Sequence, residues 1–132
     1  MVDSSVVAAF ISEEDGWERF ERYLRRWISV EHMVKEVTNA IWKHAVVKRL
    51  LSPEEAKYAY EILLLLVKNN IELRSQLELM DVAFDISLRR GVTVYDALYI
   101  VLAKKERVQL FTLDVKQARA AREEGVELLT VG

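Results

Sequence analysis

Short apolar runs recur along this chain with longer segments of helical period between them, and that alternation limits the fold more than any other feature. The strand-like runs are Met1–Val2, Trp27–Val30, Ile71–Leu73, Val108–Leu113 and Val126–Val131. A short apolar run without polar alternation belongs in a sheet covered on both faces, and strands separated by helices run parallel. The pattern therefore predicts an α/β fold built on a parallel sheet.

The intervening segments read as helices. Ser4 starts one through Val6, Val7, Phe10 and Ile11, and residues 14–26 form another, with Trp17, Phe20, Tyr23 and Leu24 at helical spacing. Residues 32–49 carry a stripe of Val34, Val37, Ile41, Ala45 and Lys48. Ser52-Pro53-Glu54-Glu55 combines a capping Ser, a first-turn Pro and a Glu three residues past the cap, and its helix runs to about Asn69 or Asn70. Residues 76–90 are closed by Gly91, Thr93 opens a helix to about Arg107, and residues 115–124 stop at Gly125. Helical signal is heavy between residues 32 and 107, so an all-helical middle competes with this reading.

The 132 residues suit one domain with one core. There is no Cys, which excludes disulfides and Cys-ligated zinc and fits the reducing cytosol. The longest apolar stretch, Ile62 to Val67, is far short of a membrane span, and no basic region precedes an apolar leader. Net charge is −2, so bulk charge lends no support to nucleic-acid binding.

Four acids stand out by position. Asp3 and Asp114 end predicted strands, and sites in open parallel sheets form beyond those strand ends. Asp96 lies in the first turn of its helix, three residues after Thr93. Glu36 lies near the start of its helix, on a face shared with Asn39, Ala40 and Lys43. All four can reach one rim of the sheet. Clustered carboxylates suit hard divalent cations such as Mg²⁺ or Mn²⁺, which activate water against a phosphodiester. Singly, each acid also fits an ordinary role: Asp114 as a helix cap, Asp96 as a helix-dipole acid, Glu36 as a solvated surface group.

The segments around these acids resemble PIN domains. Val2-Asp3-Ser4-Ser5-Val6-Val7 is similar to their first strand and turn. Lys35-Glu36-Val37-Thr38-Asn39-Ala40 resembles their second acidic motif. Thr93-Val94-Tyr95-Asp96-Ala97-Leu98-Tyr99 resembles their most recognisable motif, and Leu110-Phe111-Thr112-Leu113-Asp114 their last acidic strand end. The motifs keep the family's order over essentially the whole of residues 1–132, as a single domain, and the nearest likeness is to VapC-type toxins of prokaryotic toxin–antitoxin pairs. The resemblance implies a three-layer α/β/α sandwich and Mg²⁺- or Mn²⁺-dependent hydrolysis of RNA. It also implies a homodimer and a small antitoxin partner. By position, Asp3, Glu36, Asp96 and Asp114 become the acidic, metal-holding set, with Ser5 and Thr112 as supporting hydroxyls. Two departures are a very short first strand and no Pro in Trp27-Ile28-Ser29-Val30-Glu31.

Other features carry less. His32 and His44 are twelve residues apart on one helix, cannot share a metal, and read as surface groups. Asp81 and Asp85 have ligand spacing, but nothing converges on them. Lys43, Lys116 and Arg119 stand near the acids and are candidates for RNA phosphate contact. Tyr58, Tyr60 and the run Ile62–Val67 suit either core or interface. Two rival readings remain: a catalytically silent PIN-like module that dimerises or binds RNA, and a response-regulator receiver. The receiver predicts paired acids at the first strand end and a Lys after the last strand; Asp3 stands alone, and no Lys follows Val126–Val131.

Overall fold

The computed structural model describes residues 1–11 and 26–129, so the helix expected over 14–26 lies, but for Arg26, outside the described residues. Two strands pair in parallel, β1 (Trp27–Val30) and β2 (Ile71–Arg74), with Trp27 opposite Ile71 and Val30 opposite Arg74. Single parallel bridges continue the sheet, Val2 with Phe111 and Leu110 with Leu128. Val2 also joins β1: its N–H donates to Ile28 O at 3.1 Å, and Ser29 Oγ donates to its carbonyl at 2.7 Å. Across the sheet the order is therefore β2, β1, Val2, Leu110–Phe111, Leu128. The first apolar piece of the chain is central, and Val2 has no exposed surface.

Among the described residues six α-helices follow the predicted spacing: α1 (Ser4–Ile11), α2 (His32–Trp42), α3 (Pro53–Asn69), α4 (Met80–Arg90), α5 (Val94–Glu106) and α6 (Val115–Glu123). α1 packs on α2 and α2 on α3; separately, α4 packs on α5 and α5 on α6, with α5 also against β1. The sheet thus lies between two helical layers, the three-layer arrangement expected.

Local chemistry sets the boundaries. At α3, Ser52 N–H donates to Glu55 Oε1 (2.9 Å) and Glu55 N–H to Ser52 Oγ (3.1 Å), the reciprocal box read from the sequence. Gly91 ends α4 at φ 68°, a left-handed conformation that costs glycine nothing. Thr93 caps α5, its Oγ1 accepting from Asp96 N–H at 3.1 Å. Every residue of α5 from Ala97 to Ala103 is buried. A helix apolar on all sides can only be internal, and this one carries Asp96 at its mouth.

Several expectations shift. Of Val108–Leu113 only Leu110 and Phe111 pair, because the neighbouring backbone at Met1, Asp3, Glu127 and Leu129 reaches just those two residues. The last strand contracts to a bridge at Leu128, and residues 130–131 are outside the described part. The helix from residue 32 changes to a π turn over Lys43–Val47, where Lys48 N–H reaches back to Lys43 O at 2.9 Å. A 3₁₀ turn (Leu77–Leu79) precedes α4. The buried stripe of α2 is His32, Met33 and Val37; Val34 is half-buried and Lys48 exposed. His32 corrects the surface reading outright: it is 5% exposed, because the rings of Tyr95 and Tyr99 cover it. Tyr58 and Tyr60 are exposed rather than core.

Candidate active site

Asp3 follows Val2 at the end of the central strand and is 3% exposed. Both of its oxygens are engaged. Oδ1 accepts from Ser5 Oγ (2.6 Å) and from Val6 N–H (3.3 Å), and Oδ2 accepts from Thr112 Oγ1 (2.5 Å). The two hydroxyls are themselves fixed: Leu113 N–H donates to Ser5 Oγ at 2.9 Å and Asp114 N–H to Thr112 Oγ1 at 3.0 Å. Ser5 and Thr112 therefore bond the backbone and orient the carboxylate together, tying the start of α1 to the turn before α6. Burial pushes the Asp3 carboxyl up to about 6, against its three hydrogen bonds, and the Glu36 charge adds to the rise.

Asp96 sits half-buried at the start of α5. Burial raises its pKa, and the Asp114 and Glu36 charges raise it further, while Thr93 and His32 oppose them. Asp114 caps α6: its side chain accepts from Lys116 N–H (2.9 Å) and Gln117 N–H (3.1 Å). Gln117, fully buried, donates from Nε2 to the Asp96 carbonyl at 3.2 Å and so fastens α6 to α5. Glu36, on α2, accepts from the Tyr99 hydroxyl at 2.6 Å. His32 lies one turn earlier on α2. Its Nε2 is 3.1 Å from Glu36 Oε1 but off the N–H line, so neither ring nitrogen is hydrogen-bonded among the described residues.

The four acids thus come from three helix starts and the central strand end, and charge couples them: Asp3 to Glu36, and Asp96 to both Glu36 and Asp114. None of the four pairs with a Lys or Arg among the described residues. An all-oxygen donor set without a neutralising cation fits a hard divalent ion. Within the described part, no three of these side chains already converge as a finished cage. Asp3, Glu36 and Asp114 are each engaged by hydrogen bonds of their own.

The basic candidates are looser. Lys43 and Lys116 are exposed, and neither forms an ion pair among the described residues. Arg119 pairs with Glu123 at 3.3 Å along α6. Asp85 pairs with Arg89 at 2.9 Å, the surface role expected of it.

Two residues at the site, Tyr99 and Gln117, were given no role from the sequence, and a third, His32, was read as a surface group. Helical spacing held the signal for each. Tyr99 is three residues after Asp96, His32 four before Glu36, and Gln117 three after Asp114.

A family model described as PIN domain matches residues 1–123. Ribonuclease VapC3 of Pyrobaculum aerophilum is 37% identical over 117 residues, covering 86% of this chain and 88% of that protein. The crystal structure of PAE2754 from Pyrobaculum aerophilum superposes with a TM-score of 0.68 at 21% identity, over 90% of this chain and 76% of that one. The last likeness shows the fold.

Proposed function

The chain belongs to the PIN-domain family, and on that footing we propose that it is an endoribonuclease dependent on Mg²⁺ or Mn²⁺ and the toxin of a VapBC-type pair. The supporting observation is the rim itself: Asp3, Glu36, Asp96 and Asp114 gathered where strand and helix ends meet, without a Lys or Arg partner among the described residues. A protein that meant these acids only for stability would pair them, as it pairs Glu124 with Arg89, Arg90 and Lys104.

In this reading the four carboxylates hold the ion, which when bound supplies a Lewis acid beside the scissile phosphate. Ser5 and Thr112 fix the plane of the Asp3 carboxylate. Asp96 stands at the mouth of a rigid buried helix, so its position varies little. Lys43, Lys116 and Arg119 approach RNA phosphates from the rim. A homodimer, a small antitoxin and a cytoplasmic setting belong to the same reading. Trp42, Leu65 and Tyr58, all more than half exposed around the α2–α3 hairpin, leave apolar surface for such contacts.

One observation favours the silent-module alternative: the Asp114 carboxylate is engaged in capping α6. The two separate on Asp96→Asn. For the nuclease, Mn²⁺-dependent cleavage of RNA, absent in EDTA, should fall by more than about a hundredfold, beyond the loss of an outer partner. Mn²⁺ should also raise the unfolding temperature of the wild type and not of the variant. For the silent module, Mn²⁺ shifts neither protein, and the variant loses up to about 1 kcal/mol from the helix start.

A further inference from the structure

We propose that Tyr99 is the positioning residue of the acidic site, its hydroxyl fixing one oxygen of Glu36 and leaving the other for a divalent cation. This rests on the metal-site reading above.

Three elements meet at the Tyr99 hydroxyl. It donates to Glu36 Oε1 at 2.6 Å, which reaches α2. The Ser4 side chain, on the residue next to Asp3, also lies close to it. The ring itself grows from α5, one turn after Asp96. One side chain therefore links the segments that carry Asp3, Glu36 and Asp96. It is 1% exposed, so water does not compete for the hydroxyl.

The ring is held as firmly as the hydroxyl. It meets the His32 imidazole in a T-shaped contact, with centroids 4.9 Å apart, and the Tyr95 ring makes a second such contact with that imidazole at 5.2 Å. His32 in turn stands beside Glu36 Oε1 with its nitrogens unbonded. Oε1 is thus enclosed by Tyr99 and His32, whereas no protein donor reaches Glu36 Oε2 among the described residues.

The chemistry suits a fixed donor. A phenol is neutral throughout the range in which carboxylates are ionised, so the hydroxyl has a proton to donate. A neutral donor on one oxygen orients a carboxylate without cancelling its charge, as a lysine would. Outer partners of this kind set ligand direction at metal sites.

The test is Mn²⁺ binding by the full chain without RNA, followed by the paramagnetic resonance signal of free Mn²⁺. Tyr99→Phe removes one oxygen and keeps the ring on His32. It should unfold cooperatively with wild-type circular dichroism and bind Mn²⁺ roughly ten- to a hundredfold more weakly. Mn²⁺ affinity within twofold of wild type overturns the proposal. Glu36→Gln separates the causes. If Glu36→Gln weakens Mn²⁺ and Tyr99→Phe does not, the positioning role falls and the nuclease reading stands. If the wild type itself binds no Mn²⁺, the metal-site reading falls and takes this one with it. Should Tyr99→Phe not fold, Mn²⁺ bound to the wild type should broaden the Tyr99 ring proton resonances, because Glu36 joins that hydroxyl to the ion. Resonances that stay sharp while Mn²⁺ binds again overturn the proposal.

Discussion

Replacing Asp3 by Asn should make the metal-free protein relatively more stable as pH rises. Asp3 is almost wholly buried, and burial is the largest influence lifting its carboxyl from 3.8 to about 6. Two units, at about 1.4 kcal/mol each, make the ionised group about 3 kcal/mol less favourable in the folded chain than in the unfolded one. The sign follows from proton binding. Between the two pKa values the folded state holds the proton and the unfolded state does not, so stability falls as pH rises. The contribution is fully present below about 3.8 and lost as pH passes through about 6.

Urea denaturation in EDTA at pH 5 and pH 7.5 measures it. At pH 5 the unfolded Asp is already mostly ionised, so roughly half of the total, about 1–2 kcal/mol, falls inside this interval. The Met1 amine, which burial pushes down to about 6, titrates in the same interval with the opposite sign. The quantity to read is therefore the wild-type value minus the Asp3→Asn value, in which that term cancels. The difference should move by about 1–2 kcal/mol in favour of the variant from pH 5 to pH 7.5. Asn retains the side-chain shape, though its amide cannot accept from both Ser5 and Thr112, so the variant can be less stable at both pH values. Only the change with pH carries the argument. A difference that stays constant would refute the idea that a buried, costly charge sits at the central strand end.

Glu124→Gln should destabilise by about 2 kcal/mol in urea at pH 7, a charge-assisted bond discounted because the Arg89 and Lys104 side chains are partly in solvent. Its carboxyl is held down to about 2, chiefly by Arg89, so the contribution stands above about 4.5 and is lost as pH falls through about 2. Ser52→Ala removes the Oγ that accepts from Glu55 N–H, leaves the backbone N–H of residue 52 on Glu55 Oε1, and should cost about 1 kcal/mol, read as a lower urea midpoint with unchanged slope.

How much of this was legible depends on the range of the interaction. The box at Ser52, the Gly91 stop and the Thr93 cap are local, and each formed where the residue spacing placed it. The candidate acids were legible as places, since strand ends and helix starts share one rim in a parallel fold. Their bonds were not. That Thr112 reaches Asp3 across more than a hundred residues, or that Tyr99 reaches Glu36 across 63, depends on how the layers pack. His32 shows the same limit. An imidazole at a helix start reads as surface until Tyr95 and Tyr99, more than sixty residues later, close over it. Strand length failed for a related reason: a run such as Val108–Leu113 is only as long as the neighbouring backbone that pairs with it.

The placement of the acids also explains why the rest of the fold is built as it is. Asp3 and Asp96 are each raised by burial, so both weaken the metal-free molecule when ionised. Such groups persist only where the surroundings are over-determined. Asp3 sits at the end of the middle segment of the sheet, and Asp96 opens a helix in which the next seven residues are all buried. The two carboxylates raised by burial are therefore attached to the central strand end and to the start of the buried helix. Glu36 stands on α2 and Asp114 at the start of α6, and they are oriented by Tyr99 and by the first N–H groups of α6. Held by these four residues, a divalent cation would offset the charge buried at Asp3 and Asp96, while Glu36 and Asp114 would supply further oxygens. Stability and metal affinity should thus be governed by different members of the same set.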